Sequence, residues 1–209
     1  MKLYLCNKTV LRFHPNAAAF INGYTTNVPE APRTAFVDIR ANVLAVAEQY
    51  KLSEEEVWEV VETSRVERLS AHLKKYLSVS DTQLERLDAK RVYCDLETGK
   101  LVITEEALPA AVSEEEYTRF RLNNHIPLQG VDFEEEMVLN LAQEDLISYT
   151  KGCYLGQEIV ARVHHRAKPP KRLTVKSEDE CTPEQRAAMS SRVRETHSGK
   201  TLGFVFDKT

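Results

Sequence analysis

Short apolar runs broken by turn-forming residues dominate the first hundred positions, and a helical spacing interrupts them at only a few places. Leu3, Leu5, Val10 and Leu11 mark two short strands around a turn at Asn7-Lys8, within Lys2 to Phe13. Asn16 stands where it can cap a short helix over Ala17 to Ile21, which Gly23 ends. Thr25-Thr26-Asn27 and the prolines Pro29 and Pro32 then form a loop. Arg33 to Leu52 reads as a hairpin: Ala35-Phe36-Val37, a turn near Arg40-Ala41-Asn42, and a return over Val43 to Ala47. A third strand follows at Val57 to Val61. Thr63 or Ser64 caps the next helix, where Val66, Leu69, Leu73 and Leu77 recur at helical spacing. A second hairpin joins Val92–Leu96 to Leu101–Ile103 through Glu97-Thr98-Gly99-Lys100. Ser113-Glu114-Glu115-Glu116 opens a helix running to about Asn124, its acidic first turn suiting the helix dipole.

Strands and helices succeed one another without strict βαβ alternation, which predicts an α+β fold with mostly antiparallel sheets. The stiff Pro169-Pro170 break divides the chain into a body over 1–168, open to division into two interleaved subdomains, and a short C-terminal β segment over 169–209. That segment holds strands at Lys171–Lys176 and Thr201–Phe206, with a polar, poorly patterned stretch from Ser177 to Arg194 between them. Two lone strands make no stable module, so they are expected to pack on the body or on each other.

Composition narrows the function classes. With 209 residues, 42% of them hydrophobic, the chain can build a real core. A formal net charge of −4 argues against general nucleic-acid binding, so no nucleic-acid partner is expected. No apolar run approaches the roughly 20 residues of a membrane helix, and the N-terminal residues lack the character of a targeting signal. A cytoplasmic protein with no membrane partner is the default expectation. The four cysteines, Cys6, Cys94, Cys153 and Cys181, are far apart and suggest neither a zinc site nor a disulfide framework.

The most informative stretch is Lys151-Gly152-Cys153-Tyr154-Leu155-Gly156-Gln157-Glu158. Its two glycines permit positive φ or close backbone approach on either side of Cys153 and Tyr154. A helix starting at Gly156 or Gln157 places Glu158, Arg162, His165 and Arg166 on one polar stripe, opposite Ile159, Val160 and Val163. Glu158 and Arg162 stand in the favourable order for a charge pair. Cys153 then precedes a helix N-terminus beside Lys151, a setting expected to favour its thiolate. His164 and His165 point to different helix faces with no third ligand at metal spacing, so no metal site is expected.

On these residues the chain resembles the YgfZ-type folate-binding proteins, relatives of the glycine-cleavage T-protein that support iron–sulfur enzyme assembly or repair. Lys151, Gly152, Cys153, Tyr154, Gly156, Gln157 and Glu158 match the family's K-G-C-Y-x-G-Q-E signature, and Val160-Ala161-Arg162 continues it. Weaker similarity lies in Phe20 to Asn27, in the Phe36–Tyr50 hairpin and in Val138-Leu139-Asn140-Leu141. Ala41-Asn42 stands where the family's hairpin carries Gly-Arg. The resemblance implies an aminomethyltransferase-like folate-binding fold with a truncated C-terminal β module. It also implies tetrahydrofolate in a central cavity with the cysteine loop near it. Thr26, Asn27, Asn140, Lys151, Tyr154, Gln157, Glu158 and Arg162 are the candidate folate-binding residues, and Cys153 is the candidate functional thiol. Partners would be iron–sulfur client or assembly proteins.

Three functions compete. An accessory factor for iron–sulfur proteins would use the Cys153 thiol and receive an anionic ligand on Lys151, Arg162 and Arg166. A true aminomethyltransferase needs a carboxylate positioned on the folate amine. The return strand Val43 to Ala47 offers none where the T-protein places its acid, and the nearest, Glu48, is offset. The third is a protein that keeps the fold as a scaffold without folate.

Overall fold

A computed structural model describes residues 1–166, 168–195 and 198–209. Its centre is a five-stranded antiparallel sheet in the order β3-β4-β5-β2-β6. The strands are β2 (Lys8–His14), β3 (Arg33–Val37), β4 (Val43–Lys51), β5 (Val57–Glu62) and β6 (Gln83–Arg86). Alternation along β2 shows why the sheet is covered twice: Leu11 and Phe13 enter one core and Val10 the other. On the first face lie α1 (Ala17–Tyr24) and α2 (Val66–Leu77), whose Phe20, Ile21, Leu69 and Leu73 meet Leu11, Phe13, Phe36 and Val61. Each of these buried large side chains contributes roughly 1.5–3 kcal/mol. The second face carries a three-stranded antiparallel sheet, β1 (Leu3–Leu5), β7 (Arg91–Asp95) and β8 (Leu101–Thr104), together with α3 (Glu114–Asn123).

The C-terminal segment makes more structure than its pattern suggests. The strands β9 (Lys171–Ser177), β10 (Ser190–Arg194) and β11 (Thr201–Lys208) form a three-stranded antiparallel sheet in the order β10-β11-β9. The stretch read as unpatterned contains β10 and a short helix, α5 (Pro183–Ala188), opened by a Thr182–Gln185 capping box. Leu173, Val193 and Phe204 share one core with Ala35, Val43, Leu141 and Val160 of the body. The expected boundary at residue 169 is therefore crossed by a common core.

Other differences are local. β1 and β2 do not pair with each other but with β7 and with β5 and β6. Asn16 is the N-cap residue of α1 yet makes no side-chain cap; it sits at φ 53°, a left-handed conformation that Asn tolerates. The helix continues through Gly23 to Tyr24. A 3-10 turn, Thr63–Arg65, precedes α2 in place of a capping hydroxyl. Ser113 behaves as expected and forms a capping box with Glu116 at the start of α3.

One buried group has a measurable consequence. Glu59 of β5 is fully enclosed on the α1–α2 face, and neither carboxylate oxygen has a partner among the described residues. Burial first, and then the charge of Glu48, push its carboxyl well above the usual carboxylate range. The neutral acid is therefore the folded form. Below the unfolded-state pKa both states are protonated and the group costs nothing. As pH rises, the unfolded state ionises first, so stability is lost progressively up to the folded pKa. Glu59→Gln is expected to match wild type near pH 4 and to gain on it as pH rises, by at most about 1.4 kcal/mol per unit. Urea denaturation across pH 4–8 checks this; a pH-independent difference contradicts it.

Candidate functional site

The signature loop lies between a one-turn 3-10 segment (Glu144–Leu146) and α4 (Gln157–Arg166), and three anchors pin it. Tyr154 is buried. Lys151 turns inward, its Nζ donating to the carbonyls of Thr25 and Asn27 at 2.8 Å each and lying 5.0 Å from the Tyr154 ring centroid. Gly156 holds φ +84° and lies so close to the β3–β4 turn that an added Cβ would stand 2.5 Å from the Asp38 carbonyl oxygen. Between these anchors Cys153 is exposed, while Cys6, Cys94 and Cys181 are buried. Burial pushes the Cys6 thiol up to about 12 and that of Cys94 to about 11, which leaves both protonated and inert.

The turn facing Gly156 holds a left-handed residue that is not glycine. Ala41 sits at φ 63°, in a turn where Asp38 Oδ1 accepts from the backbone N–H groups of Arg40 and Asn42. The Asp38 side chain thus supplies locally what a glycine would have made easy.

The expected binding residues fall into separate groups. Thr26 and Asn27 adjoin the loop, but their side chains are used inside the protein. The Thr26 hydroxyl donates to the Leu146 carbonyl at 2.6 Å and accepts from the Ala35 N–H at 3.0 Å. Asn27 Nδ2 donates to the carbonyls of Arg33 and Asp145. Asn140 stands apart in the short turn Val138–Leu141, donating to Glu136 at 3.0 Å, with its own Oδ1 buried and without a partner among the described residues. Gln157 and Glu158 open α4, and the exposed Glu158 and Arg162 pair with each other at 2.6 Å. On the same helix His164 stacks on Tyr149 with ring centroids 3.8 Å apart. No group of three metal-ligating side chains occurs among the described residues.

A second constellation carried no local signal in the sequence. Lys8 of β2 bridges Glu48 of β4 at 3.0 Å and Glu62 of β5 at 2.7 Å on the face toward α3. Burial opposes its charge, but the two carboxylates outweigh it and hold the ammonium above its ordinary range. Burial raises the Glu62 carboxyl, with Lys8 opposing. Glu48 lies two residues beyond Val46 on the same strand face, and both line one small cavity with Cys94, Tyr117, Arg121 and Gln129. The expectation that Glu48 is merely offset is therefore refined: it faces the cavity, but its carboxylate is held by Lys8.

This cavity measures about 130 Å³, below the roughly 300 Å³ at which pockets for small organic ligands begin. A cleft of about 460 Å³ lies between Leu141–Gln143 and the β9–β11 face. None of the eight candidate folate-binding residues lines either space. The space beside Val46 is too small to take a whole tetrahydrofolate as arranged.

The architecture is that of an aminomethyltransferase T-protein carrying a pinned loop with one exposed thiol. The crystal structure of the glycine cleavage system aminomethyltransferase T from Bartonella henselae superposes with a TM-score of 0.70, over 99% of this chain and 78% of that one, at 10% identity. At that identity the likeness shows the fold. In sequence the chain is similar to the mitochondrial iron-sulfur cluster assembly factor IBA57 of Mus musculus, 35% identical over 85 residues. It is likewise similar to the mitochondrial IBA57 homolog of Mycosarcoma maydis, 35% identical over 71 residues. These matches span 36% and 32% of this chain but only 24% and 18% of the respective relatives. No protein-family model matches the chain. The resemblance to the YgfZ-type folate-binding proteins is borne out, as is the aminomethyltransferase-like α+β fold. No helix among the described residues is long and apolar enough to cross a membrane.

Proposed function

We propose that this protein is an accessory factor for the assembly or repair of iron–sulfur proteins, working through the Cys153 thiol, with client or assembly proteins as its partners. The observation that carries this reading is the loop itself: of four cysteines only Cys153 is exposed, between anchors that hold its backbone. A solvent-facing thiol can meet a partner's cluster or thiol, which the buried three cannot. The similarity to assembly factors named for iron–sulfur clusters supports the partner class. Cys153→Ala, expressed in a strain lacking the protein, is expected to restore less than a tenth of the lost iron–sulfur enzyme activity while folding normally. Full restoration would make Cys153 structural and end this reading. A cytoplasmic location is part of the same proposal, and a tagged protein found in mitochondria would overturn it.

Tetrahydrofolate is the ligand that the fold suggests, and the cavity beside Val46 favours a second reading in which the fold is kept without it. The 130 Å³ space is lined by the Lys8–Glu48–Glu62 triad and is too small for a pterin with its side chain as arranged. Calorimetric titration separates the two: saturable binding of tetrahydrofolate supports the folate-dependent factor, and no heat at millimolar ligand supports the scaffold. The aminomethyltransferase reading is the weakest, because the one carboxylate beside Val46 on that strand face is held by Lys8 and is not free to act on an amine.

A further inference from the structure

Helix α1 ends where the signature loop begins to touch it, and the contacts form a series. The Leu155 N–H donates to the Gly23 carbonyl at 3.1 Å, Lys151 Nζ to those of Thr25 and Asn27, and the Ser148 N–H to that of Thr26 at 2.9 Å. Of these carbonyls only that of Gly23 belongs to the last turn of α1; those of Thr25, Thr26 and Asn27 lie in the segment just after it, and the Asn27 oxygen also accepts from Thr25 Oγ1 at 3.1 Å. Lysines are rarely taken from water without a counter-charge. Yet Lys151 makes no ion pair among the described residues, and burial pulls its ammonium down to about 8. Lys151 is half-buried and gives two of its three N–H donors to backbone oxygens. The three donors bracket Cys153 in sequence, at residues 148, 151 and 155.

We propose that Lys151 is a positioning residue: a brace to the backbone of Thr25 and Asn27, just past α1, that fixes the Cys153 loop, and with it the thiol, at one place on the surface. This rests on reading Cys153 as the working group. The prediction for the loop itself is independent of that reading. Around the ammonium, the 25–27 segment brings no charged side chain. The 144–147 turn carries Glu144 and Asp145, the latter paired with Arg33 at 2.7 Å, and the loop adds Tyr149, Cys153 and Tyr154.

The test uses the full chain with a nitroxide label. Because the other three cysteines are buried, the label attaches to Cys153 without further substitution. Wild type is expected to give a restricted, broad spectrum. Lys151→Met is expected to shorten the label's correlation time at least twofold and to speed deuterium exchange at the Ser148 and Leu155 amides at least tenfold. Lys151→Arg, which keeps donors for both carbonyls, is expected to restore most of both. Identical spectra and exchange in wild type and K151M overturn the proposal, as does labelling of Cys6, Cys94 or Cys181 in K151M, which would mark general loosening. Should K151M not fold, wild-type exchange decides alone: unprotected Ser148 and Leu155 amides overturn the brace. Full restoration of activity by Cys153→Ala would remove the iron–sulfur reading and leave these results standing.

Discussion

Asp132→Ala is expected to lower the melting temperature on the order of 10 °C, more than any other single substitution considered for this protein. Arg121 of α3 and Asp132 form an ion pair at 2.6 Å in which both side chains are almost wholly buried. The Arg121 guanidinium also donates to Ser191 Oγ at 2.8 Å and to the Ile126 carbonyl. Asp132 accepts from the hydroxyls of Ser190 and Ser191 and from the Leu128 N–H. One carboxylate thus joins α3, the loop after it and β10. Removing it strands a buried guanidinium, a loss of about 3–5 kcal/mol. The C-terminal sheet is expected to loosen first, because Ser190 and Ser191 lie on β10 and Ser191 holds φ 50°, which its two hydrogen bonds help to maintain. Thermal denaturation followed by circular dichroism measures the effect. A loss under 1 kcal/mol would show that the pair is not buried as described. Combining it with Arg121→Met is expected to recover part of the loss, since the double substitution leaves no unpaired charge.

That ion pair also shows where sequence reading runs out. The hairpins at residues 33–51 and 91–104 and helices α2 and α3 were legible because their signals are local: alternation, helical spacing, a turn sequence, a capping box. β6 was not, since Gln83–Arg86 is a short edge strand, mostly exposed, with almost no apolar pattern. β10 was hidden for a related reason: Ser190–Arg194 buries only Val193 within the strand and is held in place by the distant Arg121–Asp132 pair. The arrangement of β1 beside β7 depends on contacts some ninety residues apart, which no window along the chain reveals.

The site divides along the same line. The start of α4, the Glu158–Arg162 pair and the Cys153 loop could be read from spacing within one short stretch. What Lys151 and Asn27 do there could not. A lysine beside a cysteine reads as a positive charge near a thiol, and only the fold shows that its half-buried ammonium binds the backbone just past α1. The Lys8–Glu48–Glu62 triad draws on three strands, each contributing one charge that looks like an ordinary surface residue in its own segment. Alternation along β2, β4 and β5 places all three on one face, but only the pairing register makes them meet.

The two glycines around Cys153 look equivalent in sequence and are expected to behave oppositely. Gly156→Ala should cost about 2–4 kcal/mol. A left-handed φ costs a residue with a Cβ roughly 1–2 kcal/mol, and the methyl would also press on the Asp38 carbonyl at 2.5 Å and on Val37 Cγ2 at 3.0 Å. Neither neighbour yields easily: the first is backbone in a tight turn, and the second belongs to the core that α4 shares with β3. The chain can relieve the contact only by lifting the loop from the hairpin, which would also pull Lys151 and Leu155 from the end of α1. Gly152→Ala meets nothing within 4 Å and is not in the left-handed region, so it should change stability by no more than about 0.5 kcal/mol. Chemical denaturation of the two variants beside wild type makes the comparison. Equal losses would place the constraint in the loop's composition. A loss confined to Gly156→Ala, together with faster exchange at Leu155, would place it in the packing of the loop against the β3–β4 turn, the contact that leaves Cys153 facing solvent.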